Sequence, residues 1–169
     1  MSKTKLYAAI AAVTMLGTLL ATVGFSVSAE PQKHDFKARL LGFNEVPAIS
    51  TTGSGTFRAR ISEDGTSVEF KLTYSDLEST VLFAHIHLGQ KDVSGGVSAF
   101  LCGGGGKPAC PASGTVTGTI TAADVIGPAG QGIAAGELDE LVTAMREGVT
   151  YANVHTTGHP GGEIRGQLK

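Results

Sequence analysis

The chain has 169 residues, with 13 Lys and Arg residues against 15 Asp and Glu residues, and its formal net charge is −2. It contains no run of basic residues, which argues against nucleic acid as a partner. Trp is absent and aromatic residues make up 6% of the chain, which excludes a large aromatic platform for stacking on sugars.

The first 29 residues predict a signal peptide. Lys3 and Lys5 precede an apolar run over residues 6–25, and Val27-Ser28-Ala29 supplies the small residues of a cleavage site. The apolar run is long for a signal peptide, so an uncleaved N-terminal anchor is the alternative, and only then would a membrane be a partner. Both interpretations predict an exported protein that is secreted, periplasmic or held at the cell surface.

The remaining chain predicts one domain behind a short linker. Residues 30–35 are polar and read as the linker, and residues 36–169 are enough for a single domain with its own hydrophobic core. Glycine is abundant, with 24 residues. Such a content fits tight turns between many short strands.

Alternation of apolar and polar residues predicts the strands of the first half. It is clearest over residues 56–61 and 68–74, which Asp64-Gly65 joins as a hairpin. Residues 36–40 predict an earlier strand, and residues 81–88 predict a later one that carries two histidines.

The second half predicts further strands over residues 97–101, 114–120, 150–156 and 162–168. In the last of these, the alternation predicts that Ile164 and Leu168 face the core. It also predicts which side chains of this strand face outward: Glu163, Arg165 and Gln167.

One short helix is predicted near residues 137–147. Its apolar positions recur at the spacing of one helix face, and they are Leu138, Leu141, Val142 and Met145. Together, about seven or eight short strands and this helix predict an all-β fold, an antiparallel Greek-key-like β-sandwich or barrel.

The two cysteines, Cys102 and Cys110, flank the glycine-rich residues 103–109. In an exported protein, a lone pair of cysteines most simply forms a disulfide. Closing so short a loop would stabilise the fold by roughly 2.5 kcal/mol, because four consecutive glycines are costly to order. A metal-binding thiol pair is the alternative.

A metal site is predicted from histidine spacing. His85 and His87 lie two residues apart in one predicted strand, so their side chains project from the same face. His155 lies in another predicted strand and could supply a third imidazole if the two strands are neighbours. Three neutral imidazoles can bind Zn²⁺ or a copper ion and leave a fourth position open. The alternative is that these histidines are solvated or hydrogen-bonded and hold no metal.

Other polar residues are weaker candidates. His159 lies in a Gly/Pro turn, and Glu45 could supply a metal oxygen or pair with Arg165. Glu163 and Arg165 lie two apart on a predicted strand face, so a structural ion pair between them is expected.

Four motifs occur in order along the predicted domain: LGFNEVP at 41–47, AHIHLG at 84–89, YANVHT at 151–156 and PGGEIRGQL at 160–168. Together they resemble the CHRD domain, the module named after chordin, over residues 35–169. The resemblance implies a β-sandwich module of exported proteins. In animals such modules occur in chordin, an extracellular antagonist of signalling proteins, whereas stand-alone members carry no established activity.

These observations favour an exported, non-enzymatic binding module whose partner is an unknown extracellular protein or a metal ion, copper or zinc. A purely structural or adhesive module without metal is the first alternative. The second is a small metalloenzyme, because a His-x-His strand in an exported β-sandwich is similar to that of the copper–zinc superoxide dismutases. Their dinuclear site also needs a bridging histidine and a carboxylate close together in sequence, and this chain shows no such cluster.

Overall fold

The computed structural model describes residues 32–169. The predicted signal peptide, residues 1–29, lies outside the described residues. Asp35, the last residue of the predicted linker, belongs to the first strand. Within residues 32–169, no helix is long and apolar enough to cross a membrane.

Eight antiparallel strands form one sheet, which confirms the predicted all-β class. In space they follow the order β5-β4-β7-β8-β1-β2-β3-β6, and the two edge strands approach each other, so the sheet is a nearly closed barrel. The strands are β1 (Asp35–Leu41), β2 (Ser54–Ile61), β3 (Val68–Ser75), β4 (Val81–Leu88), β5 (Gly96–Cys102), β6 (Gly114–Ile120), β7 (Thr150–Thr156) and β8 (Ile164–Gln167).

The predicted helix forms as α1, which spans Leu138–Arg146 between β6 and β7. Its apolar stripe is buried, as the spacing of those residues predicted. Gly148 follows the helix with a φ of +71°, a left-handed conformation that glycine adopts without steric cost.

The inner face of the sheet forms the core. On β4, β7 and β8 the apolar residues of the alternation point inward and are fully buried. They include Ala84, Ile86, Ala152, Val154 and Ile164. The histidines of β4 and β7 therefore lie on the opposite, outer face of the barrel.

That outer face is covered where β4, β7 and β8 run side by side. Glu163 and Arg165 were predicted to face outward, and on this outer face they are 0% and 2% exposed. The loop segments 42–53 and 89–95 contribute hydrogen-bond partners to these two side chains. The outward-facing side chains of this part of the sheet are therefore buried, because loops fold back over them.

The two cysteines form the predicted disulfide. Cys102 at the end of β5 is bonded to Cys110, with the two Cα atoms 5.0 Å apart. The thiol-pair alternative is thereby excluded. Gly103 has a φ of +80°, and its N–H donates to the carbonyl of Pro108 within the closed loop.

Candidate functional site

Three buried imidazoles meet on the outer face of β4 and β7. The two strands are antiparallel neighbours, and the predicted three-histidine site required them to be neighbours. In this register His87 lies opposite Tyr151, and His155 lies opposite Phe83. Because opposed residues of an antiparallel pair share a face, His85, His87 and His155 converge.

Two backbone carbonyls fix the orientation of two of these rings. Nδ1 of His87 lies 3.0 Å from the carbonyl oxygen of Gly95, and Nδ1 of His155 lies 2.9 Å from that of Pro160. A carbonyl oxygen only accepts, so each Nδ1 carries the proton in these contacts. The lone pair of each ring then resides on Nε2, as in histidines that ligate metals through Nε2.

One of the distances within the cluster suits a shared metal ion. Each histidine offers one nitrogen, and the three nitrogens lie within 4.8 Å of one another. Nδ1 of His85 is 3.3 Å from Nε2 of His155, close to the ~3.4 Å between two ligands that each lie 2.0–2.1 Å from a tetrahedral zinc. Nε2 of His85 and Nε2 of His87 are buried without a hydrogen-bond partner among the described residues. These residues could therefore hold a metal ion.

Burial also keeps the three rings neutral. Desolvation lowers the pKa of His85 to about 3, with the neighbouring His155 and His87 adding to the effect. Desolvation likewise lowers the pKa of His87 to about 4 and shifts the pKa of His155 downward. Neutral imidazole is the form that binds a metal, so no ring has to lose a positive charge near pH 7.

Aromatic rings pack around the imidazoles and restrict their rotation. Phe100 lies edge-on to His85, with ring centroids 4.3 Å apart. The ring centroid of Phe83 lies 4.9 Å from those of His85 and His155. Tyr151 stacks on His87 at 4.7 Å, with the two planes 5° apart. The rings are thus held in place by packing in addition to the carbonyl contacts.

Glu45 lies next to the cluster but outside it. Its Oε1 accepts a hydrogen bond of 2.5 Å from the side-chain amide of Asn153, which lies opposite His85 on the neighbouring strand. Burial raises the pKa of Glu45 to about 7, against the opposing effects of this hydrogen bond and of the Arg165 charge. The described part of the chain places no carboxylate in the histidine group, so it assembles no dinuclear site of the dismutase type.

Glu163 and Arg165 do not form the expected ion pair. Glu163 accepts hydrogen bonds from the hydroxyls of Thr51 and Thr156 and from the backbone N–H of Glu78. Arg165 instead donates to two carbonyls of the 89–95 segment and lies 3.4 Å above the ring of Tyr151. The two side chains therefore anchor different loops to β8.

His159 is not brought into the cluster. Its Nε2 lies 3.8 Å from a carboxylate oxygen of Glu78, in the connection between β3 and β4. This position makes His159 a useful reference, because it is a histidine of the same domain with a different environment.

Two supporting side chains of the site follow from the strand period, and two supporting carbonyls do not. Asn153 and Tyr151 alternate with His155 along β7, so the two-residue period places them on the same face. The carbonyls of Gly95 and Pro160 belong to the main chain, so the residue types in the sequence do not identify them as acceptors.

The comparisons with known proteins identify a family. A family model described as the CHRD domain matches residues 36–168. No significant match was found among curated proteins, and none among solved structures. The family match spans almost every residue of the eight-stranded barrel, including both histidine strands. The chain belongs to the CHRD domain family.

Proposed function

We propose that this protein is an exported CHRD-domain module that binds one copper or zinc ion through His85, His87 and His155. The observation that carries the proposal is the pair of carbonyl contacts at His87 and His155. They leave two buried Nε2 atoms that can accept but not donate, and the one on His155 lies 3.3 Å from Nδ1 of His85. Export is supported by the signal-peptide pattern and by a disulfide, which suits an oxidising compartment.

The donor set is three imidazoles without thiolate, because both cysteines are committed to the disulfide. Imidazole suits zinc and copper, whereas Mg²⁺ and Ca²⁺ prefer oxygen ligands. A bound zinc would link β4 to β7 and stabilise the barrel. A bound copper ion would supply redox chemistry or serve copper handling, and superoxide turnover above that of free copper would reveal the former.

The test is metal stoichiometry in the purified full chain. Protein stripped with a chelator is titrated with Zn²⁺ or Cu²⁺ by calorimetry, and the bound metal is counted by mass spectrometry. One ion per chain is expected. The substitutions His87→Ala and His155→Ala should each abolish stoichiometric binding, and the matched His159→Ala should retain it. A wild-type chain that binds no stoichiometric metal near pH 7 contradicts the proposal.

A structural module without metal is the second candidate. It is favoured by the contact between Nδ1 of His85 and Nε2 of His155, which is a hydrogen bond when no metal is bound. Aromatic packing around the three rings would then make them part of the fold alone. In that case added Zn²⁺ or Cu²⁺ leaves the Tm of the wild-type chain unchanged.

A further inference from the structure

Basic side chains form a row across the outer face of the barrel, away from the histidines. Lys37 on β1 lies opposite Arg58 on β2, and Arg58 lies opposite Lys71 on β3. Lys169 extends the row, because two backbone hydrogen bonds pair it with Lys37. All four residues are exposed. With adjacent strands about 4.8 Å apart, the row is about 14 Å long.

Within residues 32–169, no salt bridge includes a member of this row. The salt bridges near it join Asp35 to Arg60 and Lys91 to Asp92. Asp35 and Glu69 lie on the same face, two residues along β1 and β3 from Lys37 and Lys71, and offset part of the charge. Like charges directly opposite each other on neighbouring strands repel and destabilise the sheet. The row is therefore unfavourable for the isolated protein, and a bound anion would relieve the repulsion.

A groove lies beside the row. It has a volume of about 500 Å³ and runs between the outer face of β1 and β2 and the loop at Lys91 and Asp92. Its lining includes the basic residues Lys37, Arg39, Arg58, Lys91 and Lys169. The acidic side chain in the lining is Asp92, whose charge is already opposed by Lys91 at 3.8 Å.

We propose that this basic face binds an anionic polysaccharide, a glycan chain that carries carboxylate or sulfate groups. Arginine and lysine bind such groups through charge-assisted hydrogen bonds. A linear row with a groove beside it suits an extended chain, whereas a flat lipid surface could not enter the groove.

Two observations disfavour nucleic acid as the polyanion. Phe57, the aromatic residue in the groove lining, is buried in the core, so bases would find no ring on which to stack. The Cys102–Cys110 disulfide suits an oxidising compartment outside the cytosol, where acidic glycans are extended polyanions that the protein can meet. The basic face lies on β1 to β3, so this proposal does not depend on metal binding by β4 and β7.

The test is retention of the full chain on immobilised heparin, a sulfated glycan, and on polygalacturonate, a carboxylated one. Wild-type protein should bind at least one of them and elute with salt. The double substitution Lys37→Gln/Arg58→Gln should weaken binding about tenfold. The control Lys107→Gln/Arg146→Gln removes the same charge from positions outside both the row and the groove lining. It should bind as wild type does, provided that it stays folded without the Lys107–Asp124 salt bridge.

Thermal melting confirms that each variant is folded, and the single substitution Arg58→Thr serves as a second face variant if the double one unfolds. Equal weakening by the face pair and the control pair would show a mere net-charge effect and overturn the proposal. It is also overturned if wild type binds neither glycan at low salt. Tighter binding to phosphatidylglycerol vesicles than to either glycan would overturn it in favour of a lipid surface.

Discussion

Nδ1 of His85 lies 3.3 Å from Nε2 of His155, although 70 residues separate the two histidines in sequence. The N–H of His155 is already directed at the carbonyl of Pro160, so in the metal-free protein His85 is the donor in this contact. A metal bound by both nitrogens would keep them at about the same separation, and the proton on Nδ1 of His85 would move to its Nε2. The two nitrogens are therefore already close to ligand spacing, and metal binding would change the tautomer of His85.

The first prediction is that metal stabilises the fold. At a free metal concentration of about 100 times Kd, binding adds about 2.7 kcal/mol to the free energy of unfolding, which raises the Tm of a domain of this size by roughly 10 °C. Thermal melting of the chelator-stripped and metal-loaded chain measures the shift. It should disappear in His87→Ala and persist in His159→Ala. Equal shifts in both variants would place the metal elsewhere.

The second prediction concerns pH in the metal-free protein. The pKa of His87 is about 4 in the folded state and near 6.5 in the unfolded chain. Between these values the unfolded chain binds more protons, so the free energy of unfolding falls as the pH falls. The contribution of His87 is complete above about pH 6.5, and on the order of 3 kcal/mol is lost by about pH 4.

Chemical unfolding at several pH values with a chelator present measures this loss. The substitution His87→Phe keeps an aromatic ring against Tyr151 but cannot titrate, so the variant should lose less stability than wild type over the same range. His159→Ala should follow the wild-type curve. A wild-type curve parallel to that of His87→Phe would contradict the buried, neutral state of His87.

The third prediction concerns Glu45, whose folded-state pKa is raised to about 7 by burial. Its ionised form is less favourable in the folded protein than in the unfolded one, so stability is lost as the pH rises from about 4.5 through 7. Glu45→Gln keeps an oxygen to accept from Asn153 and removes the charge. The variant should be more stable than wild type by on the order of 2 kcal/mol at pH 8 and equal to it at pH 4. Glu140→Gln, an exposed substitution on α1, should show no such pH-dependent gain.

Much of the candidate site could be predicted from sequence. The two-residue period of a strand placed His85 and His87 on one face. The pairing of β4 with β7 brought His155 next to them. The carbonyls at Gly95 and Pro160 could not be predicted, because their positions depend on how two loops fold over the sheet. Burial of Arg165 was missed for the same reason, since alternation separates two faces but does not say which face a loop covers.

The basic face was missed because its members are scattered along the chain. Lys37, Arg58 and Lys71 are each separated by more than ten residues of other composition, so no basic run marks them. Their alignment depends on strand register, and a shift of two residues would preserve the apolar alternation while breaking the row.

The fourth prediction is that the disulfide stabilises the barrel. In Cys102→Ala/Cys110→Ala the loop entropy of the unfolded chain is restored, so the free energy of unfolding should fall by about 2.5 kcal/mol. Denaturant unfolding of the variant and of wild type measures the difference, and wild type with a reductant should match the variant. Because Phe100 packs between this loop and His85, metal affinity should also fall. Unchanged stability in both the variant and the reduced wild type would contradict this role.

The last prediction is that removing one charge from the basic row stabilises the protein. Arg58 faces Lys37 on one side and Lys71 on the other, so Arg58→Thr relieves repulsion and places a favourable β-former on an exposed strand. The free energy of unfolding should rise by about 0.2–1 kcal/mol.

Arg60→Thr is the matched control two residues away. Arg60 lies opposite Glu69 and 3.8 Å from Asp35, so its loss should leave stability unchanged or lower. The gain from Arg58→Thr should shrink as salt is raised, because salt screens charges on an exposed surface. If Arg58→Thr loses stability relative to Arg60→Thr at low salt, the charges of the row do not repel one another measurably.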